Sequence, residues 1–135
     1  MKKPAGYSGT PLVAKLGIKE GARAVFVGAP GDFDDTLGPL PDGVRTMRTG
    51  TVDVAILFVT GFSELSRKFA QLRDRLEING MLWVAWPKKS SGVKSDLDEN
   101  LVRDFGLEAG LVDVKVCAID ETWSGLKFVR RLRDR

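Results

Sequence analysis

Histidine is absent from this 135-residue chain, and cysteine occurs once, at Cys117. The first absence removes the Ser-His-Asp and Cys-His nucleophile arrangements, and with them the commonest metal ligand. A zinc site would have to be built from carboxylates, so no metal is expected. A single cysteine allows no internal disulfide, as in a reducing cytoplasm. Long apolar runs are also missing, and none approaches the ~20 residues that span a bilayer. The stretch Met1 to Pro11 begins with two lysines but has no apolar segment behind them, so it does not read as a signal peptide. These absences predict a cytoplasmic protein without membrane contact.

What is present is ordinary for a globular domain: 43% hydrophobic and 29% charged residues. The length predicts one domain over 1–135, with an extended Gly- and Pro-rich arm at 1–11. The formal net charge is +3, and the basic end at 127–135 alone carries five basic side chains against one aspartate. The rest of the chain is therefore close to neutral. Such an end reads as a solvated, solubilising segment, and nucleic-acid association through Arg130 to Arg135 is the alternative it leaves open.

The apolar pattern changes period along the chain. Leu12 to Leu16 reads as a short helix closed by Gly17. Ala24 to Gly28 and Val52 to Thr60 are continuous apolar runs of strand length, the mark of a sheet covered on both faces. Phe33 to Leu37 reads as a short helix and Val44 to Arg48 as a brief strand. Phe62, Leu65, Phe69, Leu72 and Leu76 form one helical stripe, with Ser63 as its cap and Asn79-Gly80 as its stop. Met81 to Trp86 is the next strand. A second helix, capped by Ser95 or Asp96, should bury Leu97, Leu101, Phe105 and Ala109. Val112 to Ile119 and Leu126 to Leu132 follow, joined closely enough to require an antiparallel hairpin. The expected fold is α/β: a Rossmann-like three-layer sandwich with a mainly parallel sheet and a C-terminal antiparallel hairpin.

This plan resembles a trimmed class I methyltransferase fold. Gly21-Ala22-Arg23-Ala24-Val25-Phe26-Val27-Gly28-Ala29-Pro30-Gly31 stands in the place of that family's glycine loop. Val52 to Leu57 resembles its fourth strand and Asn79 to Val84 its fifth. The whole chain is also similar to a family of small bacterial proteins classed as a domain of unknown function (number 3052). That likeness lies in Tyr7-Ser8-Gly9-Thr10-Pro11-Leu12, Gly38-Pro39-Leu40-Pro41, Trp86-Pro87-Lys88-Lys89-Ser90-Ser91-Gly92 and Asp120-Glu121-Thr122-Trp123-Ser124-Gly125-Leu126.

The methyltransferase resemblance implies S-adenosylmethionine, held where glycines let backbone N–H groups approach at a helix start. Gly28 and Gly31 fit that role, but Pro30 between them has no N–H to offer. The acid expected after the second strand for ribose hydroxyls is replaced by Arg48. An arginine there suits the 2′-phosphate of NADP, or else is a solvated strand-end residue. The expectation is that no standard cofactor is held, with S-adenosylmethionine and NADP as alternatives.

Lys88, Lys89, Ser90 and Ser91 leave the carboxyl end of a buried strand, where ligands sit in open α/β sheets. Lys88 and Ser91 can hold an anion, although the spacing is not that of a P-loop, and the stretch reads equally as a flexible basic loop. Lys115, Cys117 and Ile119 share one strand face. Lys115 must pair, with Asp120, Glu121 or Asp53 as candidates, or reach water along its stem. Cys117 reads as a small core residue, with no histidine to activate it. Trp123 either stacks on a ligand or packs the turn. The resulting expectation is a methyltransferase-like domain without demonstrable catalysis. It would bind a small anionic ligand or a protein partner near Lys88, Ser91, Lys115, Glu121 and Trp123. A divergent S-adenosylmethionine- or nucleotide-dependent enzyme is the rival.

Overall fold

A computed structural model of the protein describes residues 10–135; most of the expected arm and the Tyr7-to-Gly9 part of its motif lie outside them. Among the described residues the strands form one six-stranded sheet. Its strands are β1 (Arg23–Val27), β2 (Arg45–Thr46), β3 (Val52–Phe58), β4 (Leu76–Pro87), β5 (Leu111–Ala118) and β6 (Trp123–Arg130), in the spatial order β2-β1-β3-β4-β6-β5. The first four are parallel, and β6 runs antiparallel to both of its neighbours. The Rossmann-like reading and the hairpin are both borne out.

Helices cover the two faces. α1 (Leu12–Lys15) and α2 (Phe33–Leu37) lie on one, α3 (Phe62–Arg75) and α4 (Glu99–Glu108) on the other. Each face buries its own apolar cluster: Leu16, Ile56, Phe58 and Trp83 on the first, Leu57, Phe69, Leu82 and Phe128 on the second. β3 supplies both, since Val54 and Ile56 alternate with Ala55 and Leu57 across the sheet. That double burial is why its sequence is an unbroken apolar run apart from Asp53.

The helix ends differ from expectation. Ser63 does not cap α3; Asp96 Oδ1 accepts the Phe62 N–H at 2.9 Å from outside the helix, and Glu64 Oε1 accepts that of Thr60 at 3.2 Å. Nor does Asn79-Gly80 stop the helix. The backbone becomes extended at Leu76, and both residues fall within β4. A long-range contact explains the early end: Arg130 Nη2 donates to the Arg73 and Leu76 carbonyls at 3.0 and 2.8 Å. A cation on the last carbonyls satisfies them and suits the negative end of the helix dipole. α4 is capped by Asp98, which accepts the Leu101 N–H at 2.8 Å, whereas Ser95 accepts that of Leu97.

The face α4 buries is offset by one residue. Val102 and Gly106 are the buried positions, and Leu101, Phe105 and Ala109 are left half-buried. Gly106 causes the offset, because a Cβ there would lie 2.0 Å from Phe128 Cε1. The bare glycine lets the helix rest directly on that ring.

Candidate functional site

Two places compete for function, the carboxyl edge of the parallel strands and the outer face of the hairpin. At the carboxyl edge Gly28 has φ +73°, a left-handed backbone that favours glycine. A Cβ on it would sit 2.6 Å from the Phe58 carbonyl oxygen. The glycine is thus required by the neighbouring strand. Phe33 is buried over the same strand ends, with its ring 4.9 Å from that of Phe58 and 5.6 Å from that of Phe26, both edge-on. Trp123 continues the row at 5.1 Å from Phe58. Gly31 faces open space. β2 keeps register with β1 only at Arg23 and Ala24, so the exposed Arg48 is not carried alongside Gly28.

On the α1 side of the hairpin the picture is different. Lys115 of β5 stands directly opposite Lys127 of β6, and Lys127 is in turn opposite Trp83. Like charges in directly opposed positions destabilise a sheet. Lys127 is half-buried, and burial, then Lys115 and Lys19, hold its ammonium below the ordinary lysine range. Lys115 Nζ donates to the Lys15 carbonyl at 3.4 Å. The Cys117 thiol next along β5 is pushed up by burial, while Lys15, Lys115 and Lys88 pull the other way. Five lysines therefore share one field: 15, 19, 88, 115 and 127. Among the described residues, no carboxylate forms an ion pair with Lys19, Lys88, Lys115 or Lys127.

The acids expected to pair with Lys115 are engaged elsewhere or exposed. Buried Asp120 accepts the Thr122 and Trp123 N–H groups, each at 2.8 Å, and so shapes the turn. Glu121 is exposed at the tip. Asp53 lies at the opposite edge, bonded to Arg23 through its backbone N–H at 2.8 Å and its guanidinium at 2.9 and 3.1 Å. Ser91 Oγ donates to the Lys88 carbonyl at 2.6 Å and accepts the Val93 N–H at 3.1 Å, which commits it to its own loop. The Lys88 N–H donates to the Thr122 carbonyl at 2.7 Å, tying that loop to the hairpin. Of the residues expected to form a site, the structure brings Lys88 and Lys115 into one field. It places Trp123 in the aromatic row and leaves Ser91 and Glu121 apart. Lys127 was missed, although the hairpin register would have set it opposite Lys115; Lys15 and Lys19 carried no local signal.

The basic end is not a loose tail throughout. Arg130 bonds the α3 carbonyls as above, and Arg131 Nη2 donates to the Leu107 carbonyl at 2.8 Å. Among the described residues no helix is long and apolar enough to cross a membrane, and no three metal-binding side chains come together.

The Arg23–Asp53 pair predicts an acid-limb effect. Hydrogen bonding from Arg23 holds the Asp53 carboxyl below its usual range. A depressed carboxylate contributes stability above its unfolded pKa and loses it as pH falls through the folded one. Asp53→Asn should therefore lower stability at neutral pH by ~1 kcal/mol, given the pair's exposure, and much less below the usual aspartate range. Urea unfolding across that pH range measures the difference.

No family model matches the chain, and no curated protein is similar to it in sequence. Similar solved structures exist. An S-adenosylmethionine-dependent methyltransferase from Aquifex aeolicus shares 18% identity over 87% of this chain and 86% of its own, with a TM-score of 0.62. Fibrillarin from Aeropyrum pernix, solved with natively bound S-adenosyl-L-methionine, shares 15% identity over 92% and 70%, with a TM-score of 0.58. The magnesium protoporphyrin IX methyltransferase of Synechocystis PCC 6803, with S-adenosylmethionine bound, shares 14% over 89% and 74%, with a TM-score of 0.55. At these identities the likeness is one of fold.

Proposed function

We propose that this chain uses a methyltransferase-like sheet as a scaffold for a small phosphate-bearing anion, bound on the lysine face of its hairpin. The observation that carries the reading is the Lys115–Lys127 pair, with Lys15, Lys19 and Lys88 around it. Folding brings like charges together there at a cost in stability, and such costs are retained at functional sites. An anion with two or more negative charges would relieve the repulsion. The Lys88 loop and the Asp120 turn, joined by the bond from the Lys88 N–H to the Thr122 carbonyl, border this face.

A second reading is a divergent S-adenosylmethionine-dependent enzyme, favoured by the cofactor named for the similar structures. The residues at the glycine loop do not fit that cofactor. Gly28 is backed onto the Phe58 carbonyl, Pro30 lacks an N–H, and Phe33 occupies the strand ends.

Thermal shifts with pyrophosphate, ADP, S-adenosylmethionine and NADP separate the readings. A ligand at ~100 times its Kd adds ~2.7 kcal/mol to stability, several degrees for a domain of this size. Pyrophosphate and ADP should raise the melting point, and Lys115→Gln/Lys127→Gln should abolish the rise. Without ligand, that double variant should melt no lower than the parent at neutral pH. The sign follows from Lys127: its lowered folded pKa means the parent gains stability only as pH climbs through that value towards the unfolded one. A shift with S-adenosylmethionine alone, unchanged in the variant, would favour the enzyme.

A further inference from the structure

α3 and α4 leave a groove of about 510 Å³ on the outside of their layer. Leu101, Phe105, Ala109 and Phe62 line it, and Asp104 and Glu108 stand on its rim. Phe62 is 41% exposed even though its ring meets that of Phe105 edge-on at 5.6 Å. Among the described residues neither rim carboxylate has an ion-pair partner. An exposed apolar trough beside two unpaired carboxylates one helical turn apart fits an apolar side chain next to a cation.

The chain carries such a segment. Leu132 is 80% exposed and opens a single 3₁₀ turn, Leu132–Asp134, between Arg131 and Arg133. The root of this turn is fixed to α4 by the Arg131–Leu107 bond, and Arg135 Nε donates to the Arg130 carbonyl at 2.8 Å. Leu132 therefore stands beside α4 without entering the groove of its own chain. We propose that two copies associate by exchanging this turn. Leu132 of one copy enters the groove beside the Phe62–Phe105 ring pair of the other, against Leu101 and Ala109, and Arg133 meets Asp104 and Glu108. Turn and groove both border α4, so a two-fold axis beside that helix makes both contacts at once, the self-complementary arrangement of symmetric dimers. The turn is already ordered by its arginine bonds, which lowers the entropy lost on docking.

Sedimentation velocity from about 10 to 500 μM, the range of a weak interface, tests this. The parent should pass from monomer to dimer. Leu132→Asp, and separately Asp104→Lys/Glu108→Lys, should weaken association at least about tenfold. Adding Arg133→Glu to the rim variant should restore part of it. All four positions are exposed, so these variants keep the fold, which circular dichroism verifies. A parent that stays monomeric throughout, or a dimer untouched by Leu132→Asp, overturns the proposal.

Discussion

Trp83→Ala should remove ~3–5 kcal/mol of stability, enough to unfold a large fraction of a marginally stable domain at 37 °C. Trp83 lies in the middle of β4, wholly buried, and its Nε1 donates to the Leu16 carbonyl at 2.9 Å. One side chain thus fills the core on the α1 face and anchors the α1 end to the sheet. Its removal leaves a large cavity and an unsatisfied carbonyl together. Trp83→Phe separates the two effects. It keeps most of the ring and loses the bond, and should cost only ~1–3 kcal/mol. Urea midpoints followed by circular dichroism give both values. Equal losses for the two variants would mean that the bond, not the packing, holds α1.

Gly106→Val should destabilise by ~3 kcal/mol or more, against the ordinary rule that replacing an interior helical glycine helps. Even alanine meets the difficulty, since a Cβ would lie 2.0, 2.4 and 2.7 Å from three carbons of the Phe128 ring. Phe128 is fully buried and packs edge-on against Phe69 at 5.6 Å, so it has little room to give way. The ~1 kcal/mol gained in helix propensity is therefore outweighed. Because the clash has a single partner, Gly106→Ala combined with Phe128→Leu should recover part of the loss. A double-mutant cycle reads that coupling, and additive losses would place the strain elsewhere.

The fold was legible because its signals are local and repeated. β3 is an apolar run with one interruption, α3 keeps a three-and-four stripe at Leu65, Phe69 and Leu72, and the hairpin turn is short. The helix boundaries were less legible, because Arg130 and Asp96 set them from distant parts of the chain. The phase of α4 escaped for a related reason: Gly106 reads as a weak helical residue until Phe128 is placed against it. At the candidate site, the strand pattern singles out Lys115 but assigns it the wrong neighbour. Its expected carboxylates serve the Asp120 turn and Arg23, and the side chain opposite it is another lysine. Pairing the two hairpin strands residue by residue would have exposed Lys127. Nothing in the sequence near α1 pointed to Lys15 and Lys19, which reach the same field only through the fold.

The proposed function requires this methyltransferase-like fold to bind anions on the lysine face of its hairpin and not at its glycine loop. Titrating pyrophosphate into isotope-labelled protein and following backbone amide shifts locates the site directly. Shifts should appear at Lys115 to Cys117, Gly125 to Lys127 and Lys15 to Lys19, with Gly28 to Phe33 silent. Silence across the lysine face, with S-adenosylmethionine shifting Gly28 to Phe33 instead, would contradict it.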